Sequence, residues 1–198
     1  MPSPVAHTAI GYVIYRLVRR DKAQRLHFWE EKFMGLFPYS LLYTIGISLL
    51  PDLDALAGLI YHDFGRFHNN GTHSLFVGLA FSLVIAAVFY WSRRQGFLSW
   101  FLITLLGYEL HVIMDFLTFG GRGVMLFWPL LTNRFQSPIL VFYGVRWSEG
   151  LFTFQHVITI ATELVFVIAV VLLLKLLLTL RSSDKNKQQF SGSNDMIR

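Results

Sequence analysis

The chain has 198 residues, of which 54% are hydrophobic, 16% aromatic and 15% charged, whereas about 25% of a typical soluble domain is charged. So few charges cannot cover the core of a soluble protein of this size. The net charge of +5 does not mark a nucleic-acid-binding face, because the basic residues fall mostly at the ends of apolar runs, as membrane topology requires. Cysteine is absent, which excludes disulfides, thiolate metal sites and cysteine nucleophiles.

In chain order, Met1 to Tyr15 lacks a basic leader and a small-residue cleavage pattern, so it does not read as a removable signal peptide. Val5 to Val18 is apolar and helix-compatible, short for a full crossing of ~20 residues unless Arg16 and Arg19 snorkel. Arg16 to Lys32 is charged and reads as an interfacial helix or loop. Phe33 to Leu50, Ser74 to Ser92, Phe97 to Leu117 and His156 to Leu180 read as crossing segments. The strip from Thr118 to Gly150, rich in glycine and aromatics with Pro129 and Pro138, reads as a re-entrant or interfacial segment with short helices. Residues 1–180 form one domain, followed by a polar tail, 181–198, expected to be disordered. The expected fold is an all-α, polytopic membrane helix bundle with four to five spans.

Orientation follows from the basic residues. The stretches 16–32, 93–96 and 181–198, with Lys175, hold 13 of the 17 lysines and arginines, and the opposite set holds only Arg66, Arg122, Arg134 and Arg146. The positive-inside rule then assigns the first set, with the C-terminal tail, to the cytoplasm. Asp52 and Asp54 end the second apolar segment on the outer side, and His73 opens the third there. His111 and Asp115 close the fourth, roughly 27 Å from its cytoplasmic start. His7 and His156 reach the same level. Separate segments thus converge on one layer.

Aspartate and histidine supply oxygen and imidazole ligands for Zn²⁺, Mn²⁺ or Fe, and charged side chains at membrane depth are functional candidates by default. His111 and Asp115, at i and i+4, share a helix face; they are either a metal-binding pair or a histidine bonded to a carboxylate. Asp52 and Asp54 follow helix-breaking Pro51. One could cap a helix, but two carboxylates beside an apolar span call for a cation. Asp52 is the stronger ligand candidate, and Asp54 is either a second ligand or a general base. Thr72 and Ser74 could cap the next helix while His73 faces the metal; His68, in the turn before them, is a weaker ligand candidate. Glu163, two turns after His156, could be a ligand, a partner of a ligand or a helix–helix hydrogen bond, and Glu149 has no assigned role. Arg66, Arg122 and Arg146 could clamp a phosphate or contact lipid headgroups. No serine nucleophile elbow, phosphate-binding loop or His-Glu-x-x-His motif is present, which leaves metal-assisted hydrolysis.

His7-x-x-x-Gly11, Pro51-Asp52-Leu53-Asp54, His68 with Thr72-His73-Ser74, Gly107 with His111-x-x-x-Asp115, and Gly123 with Trp128-Pro129 together resemble the LexA-regulated, membrane-bound metal-dependent hydrolase family of bacteria. That family is distantly similar to zinc-dependent phospholipase C and P1-type nucleases, which are all-helical. The resemblance covers roughly residues 1–135 and implies His7, Asp52, His73, His111 and Asp115 as metal ligands. Two departures stand out: Asn69 follows His68 where the family often has arginine, and no histidine lies between His111 and His156. One or two divalent ions, zinc foremost, are therefore expected in place of a three-zinc cluster.

The expected function is a bacterial inner-membrane, metal-dependent hydrolase that cleaves phosphoester bonds of lipids or lipid-linked substrates near the outer face. Its partners would be membrane lipid and that substrate, not nucleic acid. The alternatives are a non-catalytic metal-binding membrane protein, such as a sensor or transporter component, and a structural protein whose histidines and aspartates only pair with one another.

Overall fold

The computed structural model describes residues 2–20, 32–55, 60, 68–94, 96–145 and 154–194. The elements run α1 (Pro4–Arg20), β1 (Lys32–Phe33), β2 (Phe37–Pro38), α2 (Tyr39–Leu49), α3 (Leu75–Arg93), α4 (Phe97–Phe116), β3 (Thr118–Phe119), β4 (Phe142–Tyr143) and α5 (Phe154–Asn194). Two 3-10 turns, Leu50–Leu53 and Gly71–His73, follow α2 and precede α3. β1 and β2 form an antiparallel hairpin with Phe33 opposite Phe37. β3 and β4 pair in parallel, Thr118 opposite Phe142.

Among the described residues, three helices are long and apolar enough to cross a membrane, over Leu75–Ser92, Phe97–Phe116 and Phe154–Leu176. The helical, membrane-spanning character expected is present, but three such helices stand where four to five spans were expected. The run Phe33 to Leu50 is not one helix: Met34 and Gly35 take positive φ and turn the chain into the hairpin. Pro38 then precedes an α2 of 11 residues, roughly 16 Å long, about half a hydrocarbon core. Pro51 closes it in a 3-10 turn, since proline cannot continue the helical hydrogen bonding. α1 has 17 residues, roughly 25 Å.

Two further expectations are corrected. The polar tail is not disordered over 181–194, because α5 continues to Asn194; extending a formed helix costs little, and lysine and glutamine are good helix formers. Described residues 117–145 contain no helix and are organised by β3, β4 and a bridge between Val124 and Phe135.

The burial pattern is inverted relative to a water-soluble protein. Ser40, Thr44, Ser48, Ser82, Thr104 and Thr159 are buried, while many leucines, isoleucines and valines of α3 and α5 face outward. Such a surface suits a hydrocarbon solvent. Buried hydroxyls close onto their own helices, as Ser82 does by donating to Gly78 O and Thr104 to Trp100 O. The apolar core joins Ala6, Ile10 and Ile14 of α1 to Trp100, Ile103 and Met114 of α4.

α1 and α2 approach backbone to backbone at Gly11, where an added Cβ would lie 2.6 Å from Ser48 Oγ and 2.7 Å from Ile45 Cα. Small residues permit such crossings in membrane bundles. Gly11→Ala is expected to cost about 1–3 kcal/mol through overpacking. A lowered thermal midpoint in detergent would register it, and an unchanged midpoint would mean the helices part freely.

Candidate metal centre

The carboxylates and imidazoles come from four places. α1 brings His7, the 3-10 turn after α2 brings Asp52 and Asp54, the turn before α3 brings His68, Thr72 and His73, and the last turns of α4 bring His111 and Asp115. Ser74 fixes the third group: its hydroxyl accepts from Phe76 N at the start of α3 and donates to Trp128 O. Tyr108 of α4 donates to Thr72 O at 2.6 Å.

Four donor atoms converge. Asp52 Oδ1 lies 3.4 Å from His111 Nε2 and 3.6 Å from His73 Nε2. Asp115 Oδ2 lies 3.1 Å from His73 Nε2 and 3.9 Å from His111 Nε2. The two imidazole nitrogens are 3.2 Å apart. Donors at ordinary zinc–ligand distances in a tetrahedron are about 3.3 Å apart, so Asp52, His73, His111 and Asp115 can hold one divalent ion. The side chains of His73, His111 and Asp115 are fully buried, while that of Asp52 is 14% exposed.

The remote nitrogens show why these rings aim inward. His111 Nδ1 lies 2.7 Å from Ser48 O, and because a carbonyl can only accept, Nδ1 carries the proton. His73 Nδ1 faces Asp54 Oδ2 at 3.3 Å, and His68 Nδ1 faces Asp54 Oδ1 at 2.8 Å. Thr72 Oγ1 donates to the same Asp54 Oδ2 at 2.6 Å. With Nδ1 committed, each ring presents its Nε2 lone pair, the arrangement by which outer partners orient metal-binding histidines.

Several atoms at the centre lack a hydrogen-bond partner: both oxygens of Asp52 and of Asp115, both nitrogens of His7, and His68 Nε2. Buried polar atoms are normally paired, and this concentration is what a site able to hold a cation would show. His7 stacks on His111 with centroids 3.7 Å apart and brings Nε2 to 3.5 Å from Asp115 Oδ1.

Outside the spans, the charges at the centre perturb one another. Burial alone would raise the Asp54 pKa, but hydrogen bonds from His68 and His73 outweigh it and hold the carboxyl down at about 2. Burial likewise opposes ionisation of Asp52, yet His111 and His73 hold it well below the usual carboxylate range. Burial would lower the His73 pKa, but the facing carboxylates of Asp115, Asp52 and Asp54 raise it.

The structure therefore brings together His7, Asp52, His73, His111 and Asp115, with His68 beside Asp52 at 3.7 Å. Asp54 lies behind His73 and His68, with both oxygens engaged. Glu163 is not with the ligands: buried in α5, it accepts the amide and hydroxyl of Ser3 and ties down the start of α1. His156 belongs to neither metal-capable set. Arg122 is exposed, and Arg66, Arg146, Glu149, His27 and His62 lie outside the described residues. Sequence reasoning missed the Ser48 carbonyl, which carries no residue-specific signal. It also missed Arg134, which donates to Asn69 O, Gly123 O and Asn70 Oδ1 and joins the 117–145 strip to the His68 turn.

Over 110 residues the chain is 34% identical to Inner membrane protein YbcI of Escherichia coli (strain K12), covering 52% of this chain and 61% of that relative. The match thus spans under two thirds of the relative's length. No solved structure matches the chain. Residues 1–187 match the profile of the family described as YdjM inner membrane protein, a match that includes the whole His/Asp centre and all three span-length helices; the chain belongs to the YdjM inner membrane protein family.

Proposed function

We propose that this protein is a membrane-embedded, metal-dependent hydrolase that cleaves phosphoester bonds in lipid or lipid-linked substrates. The observation that carries the reading is the set of three imidazoles, His68, His73 and His111, each with Nδ1 committed and Nε2 turned toward Asp52. Asp52, His73, His111 and Asp115 would hold one zinc ion, or manganese or iron in the same donor set. His7 and His68 flank it, and a second ion would take the neighbouring set of Asp54, His68 and His73. A bound zinc ion lowers the pKa of a coordinated water toward neutrality and polarises a phosphoryl oxygen.

Among the described residues, the centre is open at one edge. Asp52 and His68 keep 14% and 11% side-chain exposure, while His7, His73, His111 and Asp115 have none. Structural zinc sites are closed, whereas catalytic ones keep an open position. At the open edge, Asp54 holds His68 Nδ1–H and leaves Nε2 to accept a proton, the geometry of an oriented general base. Asp54 thus supports catalysis through His68 and His73. The distribution of basic residues favours an outer-face centre and a cytoplasmic C-terminal tail. α1 and α2 would complete the bundle as shorter embedded helices. A non-catalytic metal-binding protein is the second reading, favoured by the full burial of His7, His73, His111 and Asp115.

Metal analysis of detergent-purified protein, joined to a screen of phospholipids, phosphodiesters and carboxylic esters, separates these readings. Near-stoichiometric metal with metal-dependent phosphoester turnover is the expected result. Stoichiometric metal without turnover would favour the non-catalytic reading. No metal after loading would overturn both.

A further inference from the structure

The strip between α4 and α5 is built inside out. Its residues Arg134 and Ser137 turn toward the protein: Arg134 donates to backbone carbonyls of Asn69 and Gly123, and Ser137 is buried. Phe127, Leu130, Leu131, Ile139, Leu140 and Val141 face outward, with Leu130 and Ile139 each 72% exposed. Six exposed apolar side chains within fifteen consecutive residues mark a candidate contact surface.

Part of the backbone of the strip is tied back onto the protein. Val124 and Phe135 exchange both of their hydrogen bonds, Ser137 N donates to Phe116 O, Val141 N to Leu117 O and Gly144 N to Phe119 O. Irregular backbone tolerates hydrocarbon only when its polar groups are satisfied by protein. The strip also continues directly from the end of α4, a span-length apolar helix, and leads toward α5, another. Its outward face is therefore continuous with surfaces that a membrane covers.

We propose that the outward face of residues 127–141 is a lipid-contacting shelf, resting in bilayer hydrocarbon beside the mouth of the metal centre. The occupant is acyl chain. Exposed Thr132 and Asn133 mark where the shelf meets the headgroup layer. The shelf is fastened to the turn that carries His73: Leu75 N donates to Leu126 O, and the Trp128 ring packs so closely on Gly71 that an added Cβ would sit 3.0 Å from it. The inference does not depend on hydrolysis. If the hydrolase reading holds, the shelf seats the hydrocarbon portion of a lipid substrate.

The natural absence of cysteine makes the test direct. Full-length Leu130→Cys and Ile139→Cys variants are spin-labelled in phosphatidylethanolamine–phosphatidylglycerol vesicles, with Leu164→Cys on the outward face of α5 as the hydrocarbon reference. Collision with oxygen is compared with collision with a water-soluble nickel chelate. Oxygen should dominate at both shelf positions, with the same sign of the ratio as at Leu164. Nickel dominance would place the shelf in water and overturn the inference. Low access to both, with spin–spin broadening between labels, would show a second copy covering the face and would also overturn it. None of these outcomes bears on metal content or turnover, so the shelf and the hydrolase reading can fail separately.

Discussion

Asp115→Asn is expected to abolish metal binding while leaving the bundle folded. The carboxylate is fully buried, with Oδ2 3.1 Å from His73 Nε2 and Oδ1 3.5 Å from His7 Nε2. Asparagine keeps the shape and removes the charge that a cation requires. In the wild type, metal at 100 times its dissociation constant would add ~2.7 kcal/mol of stability, or about 5–10 °C in thermal midpoint for a chain of this size. Chelation should therefore lower the wild-type midpoint by that amount and leave the Asp115→Asn midpoint unmoved. Equal chelator responses in the two proteins would show that Asp115 is not a ligand. No response in either would favour the reading in which histidines and aspartates only pair with each other.

The second large effect is expected at Asp54, which is not in the convergent donor set. Its Oδ1 takes the His68 Nδ1 proton and its Oδ2 faces His73 Nδ1 and Thr72. Substituting asparagine removes the charge that fixes both rings, and losses of about 10–100-fold in metal affinity accompany such changes to outer partners. Titration of chelated protein with zinc measures this directly. A loss confined to turnover, with affinity intact, would assign Asp54 to His68 alone. A complete loss of binding matching that of Asp115→Asn would make it a ligand.

The linked protons give these titrations a direction. Asp54, depressed to about 2 by its histidine bonds against the effect of burial, contributes stability that is present above its unfolded pKa of about 4 and lost as pH falls through the folded value. In the metal-free protein His73 has a raised pKa, so its contribution is full below about 6.5 and lost as pH rises through the folded value. Metal requires that same ring without a proton on Nε2. Apparent affinity is therefore expected to fall, and proton release on binding to grow, as pH drops below the His73 pKa.

Much of the centre was legible because ionisable residues are scarce in this chain. Once Ser74–Ser92 and Phe97–Leu117 read as crossing segments, alternation across the membrane placed His73 near His111 and Asp115 with no three-dimensional information. The i, i+4 spacing then aimed the last two along one helix face. What stayed hidden depended on contacts with no sequence signature. Hydropathy does not distinguish a hairpin tip such as Phe33 to Phe37 from the first turns of a spanning helix, so α2 was read as longer than it is. The sequence favoured Asp52 over Asp54 as a ligand, but only the fold shows the reason, with Asp52 facing the donors and Asp54 facing their backs. Glu163 was open among three roles, and its contact with Ser3, 160 positions earlier and just before α1, is none of the ligand roles but a tie between α5 and the start of α1.

The His111 proton rests on a main-chain oxygen, that of Ser48. No substitution at position 48 can delete that acceptor, which protects the tautomer from most local mutation. The dependence moves instead to the relative position of two helices. Gly107, one turn before His111 on α4, sits so close to α2 that a Cβ there would fall 2.9 Å from Cγ2 of Ile47, the residue before Ser48, so a one-carbon addition there is expected to press on the contact that holds the carbonyl at the ring. The aim of the His111 ring is thereby set by helix alignment, and drift in the packing of α2 on α4 would misdirect it without changing any of the four convergent side chains.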